Sequence, residues 1–286
     1  MATKFPGSGS TRGVPPKLVG GGAPAVPLWD VVHEVDFASE ATVTWAANAA
    51  TNTVAGKTWT ARNITGVGTT YCSRMQLVNG VGFQIEFNGV LNDSELAPSV
   101  NTAPRIEIPV SSLVAGLAVD DTIAFQIIAN STTLDDDWQY YGLMLSDAAT
   151  GTHWIENSTV FWSGGGGVPT TLGNDVQMGN TGRYLTAIGA EPPFREIVWY
   201  AGVCGFVAGA ETSSSPLDPL SCTAMEASGP LTSAVPVHPA PAPSLDITIA
   251  NAKLSLHAYY NDASGAVTDH NFTATWTKLR VLRRAR

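Results

Sequence analysis

Along most of this chain, short runs in which apolar and polar positions alternate follow one another, and the 3.6-residue period of an amphipathic helix is almost absent. The runs are rich in β-branched and aromatic residues and are bounded by Gly, Asn, Asp and Pro. They predict strands over Trp29–Phe37, Ala41–Ala46, Thr53–Ala61, Tyr71–Val78, Gly82–Phe87, Arg105–Val110, Thr122–Ala129, Trp138–Leu145, His153–Phe161, Glu196–Val207, Leu245–Ile249, Lys253–Tyr260 and Phe272–Leu282. Asn79-Gly80, Asn88-Gly89, Asp120-Asp121 and Ser264-Gly265 supply turns between them. Ser111–Leu117 reads as one helical turn. The pattern predicts an all-β fold, an antiparallel β-sandwich of jelly-roll or lectin-like type.

Two stretches depart from it. Residues 1–28 contain eleven Gly or Pro and no acid, and read as an extended arm that a neighbouring subunit is expected to hold. Residues 209–244 carry seven prolines and read as an extended excursion from a single sandwich spanning 29–286. Ser163–Gly167 reads as a flexible loop. In the last strand Phe272, Ala274 and Trp276 share one parity, Leu279 and Val281 the other. Either a bulge near Thr277–Lys278 switches the face, or the strand leaves this core and carries its end onto a partner.

Composition narrows the function. Only 14% of the 286 residues are charged and the net charge is −9, which argues against a general nucleic-acid binder. Five of the 15 cations fall in the last nine residues. With Lys4, Arg12 and Lys17 in the arm, two basic ends flank an acidic body, which suits docking onto a neighbour. The expected interface residues are Lys4, Phe5, Arg12, Lys17, Leu18, Arg280, Arg283, Arg284 and Arg286. Neither a signal peptide nor a membrane helix is expected. Five Asn-x-Ser/Thr sequons, at Asn63, Asn92, Asn130, Asn157 and Asn271, read as Asn/Thr-rich β surface.

Candidate chemistry is sparse. Cys72, Cys204 and Cys222 lack metal-ligand spacing, and reduced thiols are expected, with a Cys204–Cys222 bridge as the alternative. The histidines at 33, 153, 238, 257 and 270 are scattered, although His257 and His270 face each other if the last two strands form a hairpin. There is no nucleophile elbow and no phosphate loop. Glycoside hydrolysis needs two facing carboxylates. Glu86, Glu107 and Glu156 lie on separate predicted strands without the E-x-D-x-x-E pattern of sandwich glucanases, and each reads as a surface Glu. Asp135-Asp136-Asp137 reads as a solvated turn, with Ca²⁺ binding as the sharper alternative. Beside it, Asp136, Trp138 and Tyr140 can form a sugar-contacting rim together with Trp154. No metal or other cofactor is expected.

The arm (Met1–Leu28), the Thr/Asn/Gly-rich β body and the basic end FTATWTKLRVLRRAR together resemble structural proteins of tailed-bacteriophage virions. The closing strand is also similar to that of lectin-like sandwiches. The virion resemblance implies a non-enzymatic role in capsid decoration, a head fibre or a tail appendage. It implies a homo-oligomer such as a trimer, other virion proteins as partners, and synthesis in the host cytoplasm, with no direct nucleic-acid or membrane contact. The alternative is a carbohydrate-binding host-recognition module that contacts surface glycans. A polysaccharide-cleaving enzyme ranks third.

Overall fold

The computed structural model describes residues 29–65, 72–91, 102–117, 121–131, 138–147, 154–162, 171–178, 182–187, 195–200, 206–208, 252–261 and 269–284. The strands are β1 (Trp29–Asp36), β2 (Val43–Thr44), β3 (Thr51–Val54), β4 (Lys57–Arg62), β5 (Arg74–Val78), β6 (Gly82–Leu91), β7 (Arg105–Pro109) and β8 (Thr122–Ser131). They continue as β9 (Trp138–Asp147), β10 (Trp154–Trp162), β11 (Thr171–Met178), β12 (Gly182–Ala187), β13 (Arg195–Tyr200), β14 (Phe206–Ala208), β15 (Ala252–Asn261) and β16 (Asp269–Arg284). One helical turn, α1 (Val110–Leu113), follows β7.

The strands form two antiparallel sheets. The first runs β14-β13-β8-β16-β6-β5-β2, with β1 on the C-terminal half of β16; the second runs β12-β11-β10-β9-β15-β7-β4-β3. This is the expected antiparallel sandwich of jelly-roll type. Alternation sets which side chains meet between the sheets. Along β15, Leu254, Leu256, Ala258 and Tyr260 join the main core with Ile106, Ile108, Tyr141, Leu143 and Leu145. The first sheet contributes Phe83, Ile85, Phe87, Phe125, Phe272 and Trp276 to that core. Trp276 packs on Phe83 at 5.2 Å between ring centroids, and its Nε1–H donates across the sandwich to the Gly142 carbonyl at 3.1 Å.

The opposite parity of the second sheet is also covered. Tyr140, Met144, Trp154, Val160 and Tyr259 form a smaller buried cluster with Ala103 on its outward face. The sheet is therefore buried on both sides where β10, β9 and β15 run together. Polar residues on that outward face must find partners or remain costly.

Several expectations need adjustment. The predicted strand Thr53–Ala61 is a hairpin, β3–β4, turning at Ala55-Gly56, both with positive φ (49° and 71°) as a tight hairpin turn requires. The bulge in the last strand is real: between Trp276 and Lys278 the register with β8 shifts, and Trp276, Leu279 and Val281 are all buried in one core. The final hairpin is not one, because β15 and β16 belong to different sheets, so His257 and His270 do not face each other. Strands β11 and β12 were not anticipated. The arm, the Pro-rich excursion 209–244, Ser163–Gly167, Leu245–Ile249, Cys204 and Cys222 lie outside the described residues. Among the described residues no helix is long and apolar enough to cross a membrane.

Gly82 opens β6 with φ +133°, and a Cβ there would sit 2.5 Å from the Trp276 carbonyl oxygen. Gly82→Ala is expected to lose roughly 1–3 kcal/mol from the strained backbone alone, with the clash adding to it. Urea denaturation of the variant beside the parent protein measures this.

Candidate functional site

The antiparallel register places a set of polar residues on the outward face of the second sheet. One tier runs Glu107 (β7), Ser255 (β15), Met144 (β9) and Glu156 (β10). The next runs Arg105, His257, Gly142 and Ser158 on the same four strands. A third places Tyr259 beside Tyr140 and Val160. Residues far apart in the chain are thus delivered to one surface by strand pairing alone.

Gly142 makes the central contact. His257 and Ser158 lie on strands separated by β9, so their backbones are roughly 10 Å apart. The residue between them has no side chain, and the imidazole reaches over it: His257 Nε2 lies 3.0 Å from Ser158 Oγ and 2.9 Å from Glu156 Oε2. β10 approaches so closely that a Cβ on Gly142 would stand 2.2 Å from the Asn157 carbonyl oxygen and 2.7 Å from Ser158 Oγ. Tyr259 OH donates to the other carboxylate oxygen, Glu156 Oε1, at 3.0 Å, and the Ser158 hydroxyl lies 3.4 Å from Oε2. Tyr259 stacks on Tyr140 at 4.4 Å and 5°, and His257 packs on Tyr259 at 5.9 Å. Glu156, Ser158 and His257 are all 0% exposed.

The orientation of the imidazole follows from its neighbours. The neutral tautomer that fits a carboxylate at Nε2 is the one whose Nε2–H donates to Glu156, and this assignment leaves the Nδ1 lone pair without a partner. His257 Nδ1 and Ser255 Oγ are both buried, and neither has a hydrogen-bond partner. A base oriented from behind by a carboxylate, with its second nitrogen open, is the arrangement that moves protons in many active sites.

A second buried carboxylate lies at the far end of the first tier. Glu107, 5% exposed, accepts from Arg62 Nε at 2.8 Å and from Lys253 Nζ at 2.8 Å, both on Oε1, and from Arg105 Nε at 3.4 Å on Oε2. Burial pushes its proton affinity up, but the donors from Lys253 and Arg62 and the charge of Arg105 outweigh this and hold it below the ordinary carboxylate range. Arg105 is pulled the opposite way, lowered by burial against the stabilising effect of Glu107.

The surface reading of Glu107 and Glu156 is therefore corrected, because both are buried and bonded. Glu86 lies on β6 in the other sheet, with Arg74 and Gln76. Glu107 and Glu156 are three strand spacings apart, about 14 Å between backbones, too far for a glycosidase carboxylate pair, whose carboxyls lie roughly 5–9.5 Å apart. The three glutamates do not converge. Of the expected glycan rim, Tyr140 and Trp154 are buried at 1% and 3%; the Trp138 backbone lies in β9, and Asp136 falls outside the described residues. Of the expected interface residues, Arg280 pairs with Glu34, while Arg283 bonds Asp121 and the carbonyls of Ala115 and Gly116. Arg284 lies opposite Trp29 in the β16–β1 register; Lys4, Phe5, Arg12, Lys17, Leu18 and Arg286 are outside the described residues. Among the described residues no His/Cys/Asp/Glu group of three can hold a metal ion. The Cys72 thiol, buried, is pushed up to about 12 by burial and by Glu86, which makes it a poor nucleophile.

No family model matches the chain, and no curated protein does. Several solved structures are similar at low identity. A non-specific endo-β-1,3(4)-glucanase of glycoside hydrolase family 16 shares 10% identity over 91% of this chain and 94% of its own, with a TM-score of 0.45. An immunostimulatory antigen and pseudo β-1,3-glucanase of Mycobacterium tuberculosis shares 11% over 90% and 99%, at 0.44. An alginate lyase of polysaccharide lyase family 7 from Zobellia galactanivorans shares 10% over 73% and 78%, at 0.37. The expectation of a non-enzymatic virion structural protein is corrected here. The similar structures include glucanases and a lyase, and in this chain Glu107 and Glu156 are buried and bonded where solvated carboxylates were expected.

Two variants test the geometry. Gly142→Ala is expected to separate β9 from β10 and cost roughly 1–3 kcal/mol by overpacking, read by urea denaturation. Because folded Glu107 sits below its unfolded proton affinity, its stabilising contribution is full above the ordinary carboxylate range and is lost as pH falls through the lowered folded value. Glu107→Gln is expected to flatten the acid side of a Tm-against-pH profile.

Proposed function

We propose that the protein is a polysaccharide-processing β-sandwich: a glycan lies against the outward face of the second sheet, and His257, backed by Glu156, transfers a proton on it. The observation that carries this reading is the buried, unpartnered Nδ1 of a histidine whose Nε2 is held by a buried carboxylate. Tyr259, bonded to the same carboxylate, supplies a second hydroxyl beside the base. Tyr140, Tyr259 and Trp154 pack into the apolar cluster beside these groups, with Tyr140 and Tyr259 stacked on each other. All three are less than 5% exposed, so a glycan reaches His257 only after this face opens.

The chemistry belongs to one base with hydroxyl partners. Among the described side chains no second carboxylate stands near Glu156 to make a two-carboxylate hydrolase. A reaction that begins with proton abstraction, or with a water activated by His257, uses the groups that are present.

The test is a panel of soluble polysaccharides assayed for binding and for new chain ends. The parent protein is expected to cleave at least one. His257→Asn and Glu156→Gln are expected to lower kcat by about 10²–10⁴-fold with binding retained, the range for loss of a general acid or base. If both variants cleave as fast as the parent, or if the parent neither binds nor cleaves any member and the variants change only Tm, the cluster is structural and the reading is wrong.

A further inference from the structure

We infer that the glycan carries acidic groups, carboxylate or sulfate, and that Arg62 and Lys253 beside Glu107 read one of them; this rests on the glycan reading of the same face. Cations are scarce in this chain: 15 Lys and Arg among 286 residues, against 24 acids. Three of them nevertheless gather around Glu107 on the sheet face that carries His257. One cation suffices to neutralise a buried carboxylate. Arg62 and Lys253 both approach the same oxygen, Oε1, each at 2.8 Å, so even with Arg105 set aside two positive charges share one negative charge. Their side chains remain partly open, 39% and 24% exposed, while the Glu107 beneath them is 5% exposed. A buried anion that holds partly exposed cations in place preorganises them, so that their remaining N–H groups can take a second acidic partner.

An independent observation lies between this cluster and Glu156. Ser255 occupies the tier position between Glu107 and Met144, and its hydroxyl is buried without a partner. A hydroxyl-bearing ligand laid across the strands from the cations to His257 passes over this group. Arg62 lies opposite Arg105 and Arg105 opposite His257, two strand spacings or about 10 Å between backbones, and Lys253 lies four residues before His257 on β15, about 13 Å along the strand, a reach that suits two or more linked sugars rather than a single residue. An acidic polymer would otherwise be repelled by a protein of net charge −9, so a local cation cluster is what admits it.

The full chain is titrated with a polyuronate, a sulfated galactan and a neutral β-glucan at rising NaCl. Binding to at least one acidic polymer, at least tenfold tighter than to the neutral glucan and weakening steeply with salt, supports the inference; which acidic polymer wins assigns carboxylate or sulfate. The Arg62→Gln/Lys253→Gln double variant is expected to weaken that binding about tenfold and to leave neutral-glucan binding unchanged. The salt dependence of the parent protein provides the same readout without any variant. Neutral glucan bound as tightly as the acidic polymers, with no salt dependence, overturns the acidic assignment while the glycan site stands. Binding to none of the three overturns both.

Discussion

Taking the Glu156 carboxylate out of water costs several kcal/mol unless donors surround it, and the second sheet is arranged to meet that requirement. Three strands contribute. β10 carries Glu156 with Ser158 two residues on, β15 sends His257 and Tyr259 from the far side, and β9 keeps Gly142 between them so that the imidazole can cross. The same carbonyl group of Gly142 accepts from Trp276, whose indole is part of the central aromatic core. The polar cluster and the hydrophobic core are thus tied to one residue, and β9 cannot shift without disturbing both.

The donors around Glu156 leave one side of the cluster open. Structural economy alone would bond every buried polar atom, yet His257 Nδ1 and Ser255 Oγ are unpartnered. Unsatisfied buried groups persist where something other than stability maintains them. At the other end of the tier Glu107 shows the opposite imbalance, with Arg62 and Lys253 both on one of its oxygens. Incomplete hydrogen bonding at one end and surplus positive charge at the other are what make this face the functional candidate. In the first sheet His33 Nε2 is also unpartnered and Lys278 and Arg280 both approach Glu34, but that carboxylate is 41% exposed, whereas Glu156 and Glu107 are buried.

The fold was legible because period-2 alternation is a local property. In β15 the Leu254/Leu256/Ala258 face could be read directly, and the parity switch in β16 pointed to the bulge. β11 and β12 were illegible because Thr-Leu-Gly-Asn-Asp-Val and Gly-Arg-Tyr-Leu-Thr-Ala give little apolar alternation. The site was illegible for a different reason. Ser158 and His257 are 99 residues apart and Tyr259 and Glu156 103, joined through a register that no local pattern specifies. Polar residues at alternate positions of β10 and β15 looked like a solvated face; what hid them was a second apolar cluster on the outside of the sheet. A His and a Tyr two apart on a strand gave no warning that a carboxylate from another strand stood behind them.

The most direct test of the account is the ¹⁵N spectrum of the His257 imidazole, recorded while the intact protein is titrated with the polysaccharide it binds best. The account predicts that the Nδ1 resonance moves with ligand concentration as its lone pair gains a partner, while Nε2, held by Glu156, changes little. Saturating binding that leaves both His257 nitrogens unmoved would contradict it, since the glycan would then be held elsewhere on the protein.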